Sequence, residues 1–301
     1  MTTAVYGAPP TGLALVPGGA IQLSPFVVDA AALEDQPDAC LDEMVIVAPP
    51  GAIERRYVLA QALRALKPSG RLVALAPKDK GGLRLRRELA AFGCEAADTA
   101  RRHWRICAAR RPDAPTGLAE AIAEGGPQVP PKLGLWSQPG VFSWDRPDPG
   151  SALLERHIAD LAGAGADLGC GVGMLALAAL ASRALVSFAL VDLDRRAIAA
   201  ARRNVADPRA SFLQADLRND TPALGALDFV IMNPPFHDGG AEDKALGQAF
   251  IRTAAAMLKP GGALKMVANV GLPYEAVLAE RFKDVRLIDQ APGYKVIEAR
   301  R

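Results

Sequence analysis

Apolar and polar positions alternate in blocks along the second part of the chain. Short runs rich in Val, Leu and Phe, which suit buried strands, are separated by longer segments in which apolar residues recur at helical spacing. The strands predicted in this way are residues 166–168, 186–191, 211–213, 229–232 and 263–268, and the predicted helices are residues 174–182, 195–205 and 244–258. Such alternation is typical of a mostly parallel sheet with helices on both faces.

A segment rich in Pro and Gly at residues 112–131 interrupts this pattern. Pro and Gly at such density break helices and strands, so we predict an inter-domain linker there, around one short helix at residues 118–124. The chain has 301 residues, a length that suits two domains. We therefore predict an N-terminal domain at residues 1–111 and a C-terminal domain at residues 132–301.

Three pairs of short stretches match between the two predicted domains and occur in the same order. They are residues 45–51 with 230–236, 66–72 with 258–264, and 104–111 with 294–301. Matches in a common order indicate two copies of one α/β unit. The first copy has Ala48 where the second has Asn233, and few residues precede it, so we predict that the N-terminal copy is shortened and inactive.

Charge is distributed unevenly, although the net charge is only +2. Residues 1–43 contain six acids and no Lys or Arg, whereas residues 71–111 contain eleven Lys or Arg and four acids. Such a local excess indicates either a surface for a polyanion or a solvated face. The candidate contacts are Arg84, Arg86 and Arg87, which follow a strand predicted at residues 71–76 and a glycine-containing loop.

The sequence contains no pattern typical of a metal site, a secretion signal or a membrane span. The four cysteines form no Cys-x-x-Cys pair, and the three histidines lie far apart. One apolar run, at residues 168–182, is too short and too rich in Gly to cross a bilayer, and no basic segment with an apolar one after it begins the chain. Scattered single thiols suit a reducing compartment, so we predict a cytoplasmic protein that holds no metal.

A glycine-rich turn follows the strand predicted to end at residue 168. Glycine at Gly169, Gly171 and Gly173 permits a tight turn and a close approach of the backbone to a ligand. The spacing differs from the Gly-x-Gly-x-x-Gly of dinucleotide sites. Asp167 would repel a pyrophosphate but attract the cationic methionine end of S-adenosylmethionine. The turn therefore favours S-adenosylmethionine, with a nicotinamide dehydrogenase or a plain strand–helix turn as weaker alternatives.

Acidic residues follow the next two predicted strands. Asp192 ends the strand at residues 186–191, where a carboxylate can accept hydrogen bonds from both ribose hydroxyls. Asp216 comes after the following strand and is placed to accept from the adenine amino group, with a simple turn residue as the alternative. The neighbouring Leu193 and Leu217 complete the predicted cofactor contacts.

The candidate catalytic segment, Asn233-Pro234-Pro235-Phe236, follows the strand at residues 229–232. The two prolines fix φ and stiffen the loop. An Asn amide and a backbone carbonyl held in this way can both accept from one exocyclic amino group, whose lone pair then points at the methyl sulfonium. The Phe236 ring offers a flat face on which a base can stack. This pattern predicts methylation of an amino group.

Several strings in residues 130–301 resemble one family. The most specific is Asn-Pro-Pro-Phe-His-Asp-Gly at residues 233–239; the others lie at residues 140–143, 148–154, 267–274 and 294–296. The chain is similar to class I methyltransferases that modify amino groups and, more narrowly, to the ribosomal RNA small subunit methyltransferase C family and its large-subunit relatives.

The resemblance implies an α/β fold of two Rossmann-like methyltransferase domains in tandem. The N-terminal domain would be shortened and degenerate, and the C-terminal domain a doubly wound, mostly parallel sheet. The implied activity is methylation of guanine N2 in ribosomal RNA, by a monomer that uses S-adenosylmethionine and acts on the RNA or the small ribosomal subunit. His237 and Lys295 enter as substrate contacts on this basis, His237 with a structural role as the alternative, and Arg84, Arg86 and Arg87 as RNA contacts.

Two other functions suit the same residues. An Asn-Pro-Pro-aromatic loop also serves methylation of adenine N6 or of a protein glutamine. A non-catalytic RNA-binding or assembly factor could retain the fold, although the intact Asp167, Asp192 and Asn233 favour an enzyme.

Overall fold

The computed structural model describes residues 1–235, 237–238, 241–242 and 244–301. It divides into two compact units, Met1–Pro127 and Gln128–Arg301. Each unit has its own β-sheet and its own apolar core. Within the described residues, no helix combines the length and the apolar character needed to cross a membrane.

The first unit is built on a six-stranded sheet with the strand order β2-β1-β3-β4-β6-β5. Its strands are β1 (Thr3–Tyr6), β2 (Ile21–Gln22), β3 (Leu41–Val47), β4 (Leu66–Pro77), β5 (Ala96–Arg101) and β6 (Trp104–Arg110). Its α-helices are α1 (Ala52–Ala65), α2 (Leu85–Ala91) and α3 (Leu118–Gly125). Strands β1 to β4 pair in parallel, and β6 is antiparallel to both of its neighbours.

Helix α3 lies within the segment predicted as a linker, residues 112–131, and it packs against the core of the first unit. Ala121 is buried there, with Leu118 and Ile122 beside it. A Cβ on Gly125 would lie 2.3 Å from Cβ of Tyr57, so only glycine allows this end of α3 to approach α1 so closely. The Pro and Gly content therefore marks the ends of α3, and the boundary between the units falls at residues 127–128.

The second unit is built on a seven-stranded sheet with the strand order β14-β15-β13-β10-β7-β8-β9. Its strands are β7 (Gly163–Leu168), β8 (Leu185–Asp192), β9 (Ala210–Gln214), β10 (Leu227–Met232), β13 (Leu258–Asn269), β14 (Asp284–Ala291) and β15 (Tyr294–Arg300), and β11 (His237–Asp238) and β12 (Ala241–Glu242) form a separate ribbon. Its helices are α4 (Pro149–Glu155), α5 (Met174–Leu180), α6 (Arg195–Asn204), α7 (Lys244–Met257) and α8 (Glu275–Arg281).

Successive residues of the central strand β10 face two different cores. Val230 and Met232 pack with apolar residues of α7 and α8, whereas Phe229 and Ile231 pack with those of α4, α5 and α6. Residues 229–232 are apolar at every position because both faces of the strand are covered. The strands from β13 across to β9 pair in parallel, and β14 and β15 close one edge antiparallel. The predicted doubly wound, mostly parallel fold is confirmed.

Six strands of the second sheet, all but β9, follow the order of the first sheet, and the two units share one irregularity of register. In the first, Leu41 pairs with Leu66 and Glu43 with Arg71; in the second, Leu227 pairs with Leu258 and Phe229 with Ala263. In each unit, one of the residues skipped in the pairing has a positive φ, Ser69 in the first and Gly261 in the second. The duplication predicted from the sequence therefore extends to backbone geometry.

The first unit lacks the elements that carry a site in the second. Between β1 and β3, residues 7–40, all of them described, form turns and the short strand β2 but no helix. Between β7 and β10, the second unit has the glycine-rich turn, two helices and two further strands. This agrees with the prediction of a shortened N-terminal copy.

A buried ion pair holds the Pro-Pro turn of the first unit. The guanidinium of Arg55 is fully buried and donates to the carbonyls of Pro49 and Pro50, at 3.0 and 2.8 Å. Its other nitrogens bind both carboxylate oxygens of Glu88 at 2.7 Å. Arginine geometry suits such a planar, two-point pairing. The turn that corresponds to residues 234–235 is thus closed by the protein's own side chains.

Candidate active site

The glycine-rich turn leaves β7 at the centre of the second sheet. Gly169, Gly171 and Gly173 have φ values of +76°, +53° and +86°, a region that glycine adopts readily. A Cβ on Gly171 would meet no atom within 4 Å, whereas one on Gly173 would lie 3.0 Å from Val205. Gly173 therefore allows the start of α5 to approach Val205 closely. Gly171 lies beside open space that a ligand can enter.

Asp167 lies in β7, just before this turn, and is fully buried. Neither carboxylate oxygen has a hydrogen-bond partner among the described residues. Burial, and to a smaller extent the charge of Asp192, raise the pKa of Asp167 to about 8. A buried carboxyl without a partner is costly, and a cationic group beside it would remove that cost. These residues therefore fit the ammonium end of S-adenosylmethionine.

Asp192 ends β8 and holds the glycine turn in place. Its Oδ2 accepts from the backbone N–H of Gly171 and its Oδ1 from that of Asp194, both at 2.9 Å. Burial raises the pKa of Asp192 to about 6. Each carboxylate oxygen has a second lone pair, so contact with a ribose hydroxyl stays a prediction that the geometry allows. The carbonyl of Leu193 accepts from the Gln214 side chain at 3.0 Å, which ties this edge to β9.

The carboxylate of Asp216 is already paired in the structure. Arg218 donates to it from Nε at 2.8 Å and from Nη2 at 2.9 Å, and this pairing lowers the pKa of Asp216. The predicted bond to an adenine amino group would have to share that carboxylate with the guanidinium. Leu217 packs its side chain in the core and its carbonyl accepts from Thr253, so its backbone N–H is the group left for a cofactor.

Asn233 follows β10 directly, and both hydrogens of its amide have acceptors. Nδ2 donates to Oδ2 of Asp148 and to Oγ of Ser151, each at 2.9 Å. The amide oxygen, Oδ1, therefore faces away from them. The Asn233 carbonyl lies 3.9 Å from where a Cβ on Gly169 would be, so the catalytic segment adjoins the glycine turn. Pro234 is buried against this edge of the sheet.

Asp148 and Ser151 are site residues that the sequence pattern does not predict. Asp148 is the N-cap of α4 and accepts from the backbone N–H of Ser151 at 2.7 Å, with Pro149 at the first helical position. Asp-Pro-x-Ser is a recognisable helix start. The contact of both residues with Asn233 depends on the tertiary fold, so local sequence signals could not have indicated it.

A pocket opens between the glycine turn, Asn233 and the segment before α4. Its lining residues are Leu133, Phe142, Ser143, Arg146, Pro147, Asp148, Ser151, Gly169, Cys170, Gly171, Val172, Met174, Leu175 and Asn233. The pocket lies at the carboxyl ends of the parallel strands, the edge at which open α/β sheets bind ligands. It thus brings predicted cofactor and catalytic residues together in one concave site.

Other predicted site residues lie elsewhere or outside the described part of the chain. Phe236 is outside the described residues, and so is the side chain of His237. Lys295 is only 8% exposed, and its Nζ donates to the Leu272 carbonyl at 3.0 Å and to Glu275 at 2.6 Å. The Lys295 ammonium ties β15 to α8 in this way, and its contact with substrate stays a prediction.

The three candidate arginines of the basic segment are exposed in the first unit. Arg84, Arg86 and Arg87 lie at and just after the start of α2. Within the described ranges, no group of His, Cys, Asp and Glu side chains has the arrangement of a metal site. All four cysteines are free.

A doubly wound sheet, a glycine turn after its central strand and an acid at the end of the next strand define a class I methyltransferase. The methyltransferase small domain family model matches residues 132–298. The chain is 33% identical to ribosomal RNA small subunit methyltransferase C of Pseudomonas paraeruginosa, covering 81% of this chain and 75% of the relative, and 31% identical to that of Shewanella loihica, covering 86% and 77%. The chain belongs to the ribosomal RNA small subunit methyltransferase C family.

A solved structure that covers most of this chain supports this assignment. The T. thermophilus 16S rRNA N2 G1207 methyltransferase (RsmC), in complex with AdoMet and guanosine, superposes with a TM-score of 0.74 at 27% identity, over 90% of this chain and 76% of that one. The predicted family and the enzyme class, a methyltransferase, are confirmed.

Replacing Asp192 with Ala is expected to weaken S-adenosylmethionine binding by at least about tenfold, because charge-assisted hydrogen bonds contribute about 1.5–3 kcal/mol each. The change also removes the acceptor that holds the Gly171 N–H. Calorimetric titration would measure the affinity. Asp284→Asn, in an exposed ion pair with Arg286, serves as the control. If Asp192→Ala bound S-adenosylmethionine as tightly as the wild type, the assignment of Asp192 to the cofactor site would be wrong.

Binding of S-adenosylmethionine is expected to release about one proton near pH 7. Below about pH 8 the Asp167 carboxyl is mostly protonated in the cofactor-free protein, and a cation beside it favours the ionised form. Affinity should therefore rise with pH between about 6 and 8, by at most about tenfold per unit. Titration calorimetry in buffers of different ionisation enthalpy measures the release. Equal release from Asp167→Asn would contradict this role for Asp167.

Proposed function

We propose that this protein methylates the exocyclic N2 of one guanosine in small-subunit ribosomal RNA, the nucleotide equivalent to G1207 of the T. thermophilus relative. The observation that carries the proposal is the Asn233 amide, whose NH₂ is fixed by Asp148 and Ser151 beside the glycine turn. An amide fixed by its donor side presents only its acceptor to a substrate, which suits an amino group.

The chemistry needs little more than this orientation. S-adenosylmethionine, when bound, supplies an electrophilic methyl group on a sulfonium. Oδ1 of Asn233 accepts one N–H of the guanine amine and holds the nitrogen lone pair in line for attack. The N–C bond forms as the C–S bond breaks, S-adenosylhomocysteine leaves, and the proton of the methylated amine passes to water. The target base must leave its stack to reach a concave site.

The direct test is transfer of labelled methyl from S-adenosylmethionine to small-subunit RNA that lacks the modification. The RNA is offered both free and as the assembled small subunit, and the product is digested to nucleosides. We expect N2-methylguanosine at a single position. N6-methyladenosine, or label recovered in ribosomal protein, would establish one of the other two amino substrates instead. Cofactor binding without transfer to any of them would favour a non-catalytic factor.

We further propose that the first unit docks RNA through Arg84, Arg86 and Arg87. These three side chains are exposed around the start of α2, with Lys78 and Lys80 in the loop before it. Clustered exposed cations bind phosphates by releasing counterions. The protein would act as a monomer. Its four free thiols suit a reducing compartment such as the cytoplasm.

Replacing Arg84, Arg86 and Arg87 together with Ala is expected to weaken RNA binding and to reduce its salt dependence by up to about one unit of slope per lost phosphate contact. S-adenosylmethionine affinity should not change, because the cofactor residues lie in the second unit. Filter binding across a salt series measures both quantities.

The matched control removes the same number of charges from exposed ion pairs of the second unit. It replaces Arg281, Arg286 and Arg300, which pair with neighbouring acids. If both triple variants lose RNA affinity equally, the effect is one of net charge, and the docking proposal is wrong.

A further inference from the structure

The amide of Asn233 is held by two side chains that lie 85 and 82 residues earlier in the chain. Asp148 and Ser151 each accept one of its two hydrogens, at 2.9 Å. An amide rotated by 180° would place its oxygen against the Asp148 carboxylate, which is repulsive. The pair therefore fixes which end of the amide faces the pocket, and not only its position.

The support behind Asn233 is itself rigid. Oδ2 of Asp148 also accepts from the Ser151 N–H at 2.7 Å, which makes one oxygen both a helix cap and a partner of the amide. A Cβ on Gly150 would lie 2.8 Å from ring carbons of Tyr294, so the start of α4 is pressed against that ring. Asp148 is partly buried and Ser151 buried. Such packing leaves the cap little freedom to move.

We propose that Asp148, assisted by Ser151, is a positioning residue that fixes and polarises the Asn233 amide for attack by the substrate amine. This rests on the proposed function of Asn233. A carboxylate bound to the NH₂ end of an amide draws the N–H dipole and increases the negative charge on Oδ1, so that Oδ1 becomes a stronger acceptor. The amine becomes positive only as the methyl group transfers. The polarisation therefore acts mainly in the transition state, where it lowers the barrier without tightening substrate binding.

Three substitutions separate the roles of Asp148. Asp148→Asn keeps an acceptor and a good helix cap but removes the charge. Asp148→Ser keeps a helix cap, because a Ser hydroxyl can accept from the third helical N–H, but its side chain is too short to hold Asn233. Ser151→Ala removes the second acceptor and leaves the cap intact. Asp284→Asn, in an exposed ion pair on β14, is the matched control for loss of one carboxylate.

Single-turnover rates and substrate KM are measured for each variant on RNA that the wild type methylates. The rate should fall severalfold in Ser151→Ala, about tenfold in Asp148→Asn and about a hundredfold in Asp148→Ser, with KM within about twofold of wild type. The cofactor Kd should also stay within about twofold. A structural role alone would leave the Asp148→Asn and Asp148→Ser proteins alike, since both retain a helix cap.

A double-mutant cycle tests whether Asp148 acts through Asn233. In the Asn233→Ala background, Asp148→Ser should lower the residual rate by less than about threefold, because the group through which it acts is gone. Independent losses that multiply would overturn the proposal, as would a wild-type rate in Asp148→Ser or a loss confined to cofactor Kd. If the wild type itself forms no N2-methylguanosine, the proposed function fails instead, so the two failures are distinguishable.

Discussion

Replacing Asn233 with Ala is expected to lower the rate of methyl transfer by about 100- to 1000-fold, in the range found when one positioned hydrogen-bonding group is lost from an active site. The variant loses the acceptor for the substrate amine but none of the contacts of the glycine turn. S-adenosylmethionine affinity should therefore stay within about twofold of wild type. Single-turnover transfer of labelled methyl and a calorimetric titration measure the two quantities separately.

The internal duplication supplies the reference for this experiment, because the first copy has Ala48 at the corresponding position. Asn233→Ala makes the two copies alike there. Adding Ala48→Asn to that variant should not restore transfer, since the turn after Ala48 is closed by Arg55. Turnover near that of the wild type in Asn233→Ala would mean that Asn233 is not catalytic.

Replacing Arg55 with Ala is expected to destabilise the first unit by about 3–5 kcal/mol, because Glu88 is left with a largely buried and unpaired charge. That is a large part of the stability of an ordinary domain. Two backbone carbonyls of the Pro-Pro turn also lose their donor. Hydrogen exchange of strands β3 and β4 measures the loss in this unit without assuming that the whole chain unfolds in one step.

The neighbouring arginine is the control. The side chain of Arg56 is 42% exposed, and its Nη1 lies 3.9 Å from Oε2 of Glu124. Arg56→Ala should therefore lower the free energy of unfolding by less than about 1 kcal/mol. In a third variant, Arg55→Met combined with Glu88→Leu should recover part of the loss, since a buried ion pair can be replaced by apolar packing. Similar exchange rates in Arg55→Ala and Arg56→Ala would contradict the structural role given to Arg55.

The strands and the glycine turn could be predicted because local sequence determines them. Strand β10, for example, is apolar at almost every position, and Pro-Pro follows it after one residue, so its observed end at Met232 agrees with the prediction. The Pro and Gly content of residues 112–131 was less informative. It indicated the ends of α3 correctly but not that Ala121 packs in the core of the first unit.

The side chains around the site were harder to predict because their partners are distant in sequence. Nothing local relates Asp148 to Asn233, and only the folded sheet brings them together. Lys295 was assigned to substrate by resemblance, whereas the structure places its Nζ against the carbonyl of Leu272 and the carboxylate of Glu275. The pair of Asp216 with Arg218 is two residues apart and could have been anticipated.

Because the two sheets share a register, the methyltransferase unit can be compared residue by residue with the degenerate unit of the same chain. A positive φ persists at Ser69 and Gly261, and their backbone N–H groups donate to the carbonyls of Arg111 and Arg301, respectively. The glycine turn, the acids and the Asn are present only in the second. The features that both units share are the strand pairing and backbone geometry on which the fold depends. The features found only in the second unit are the residues proposed to bind the cofactor and the substrate.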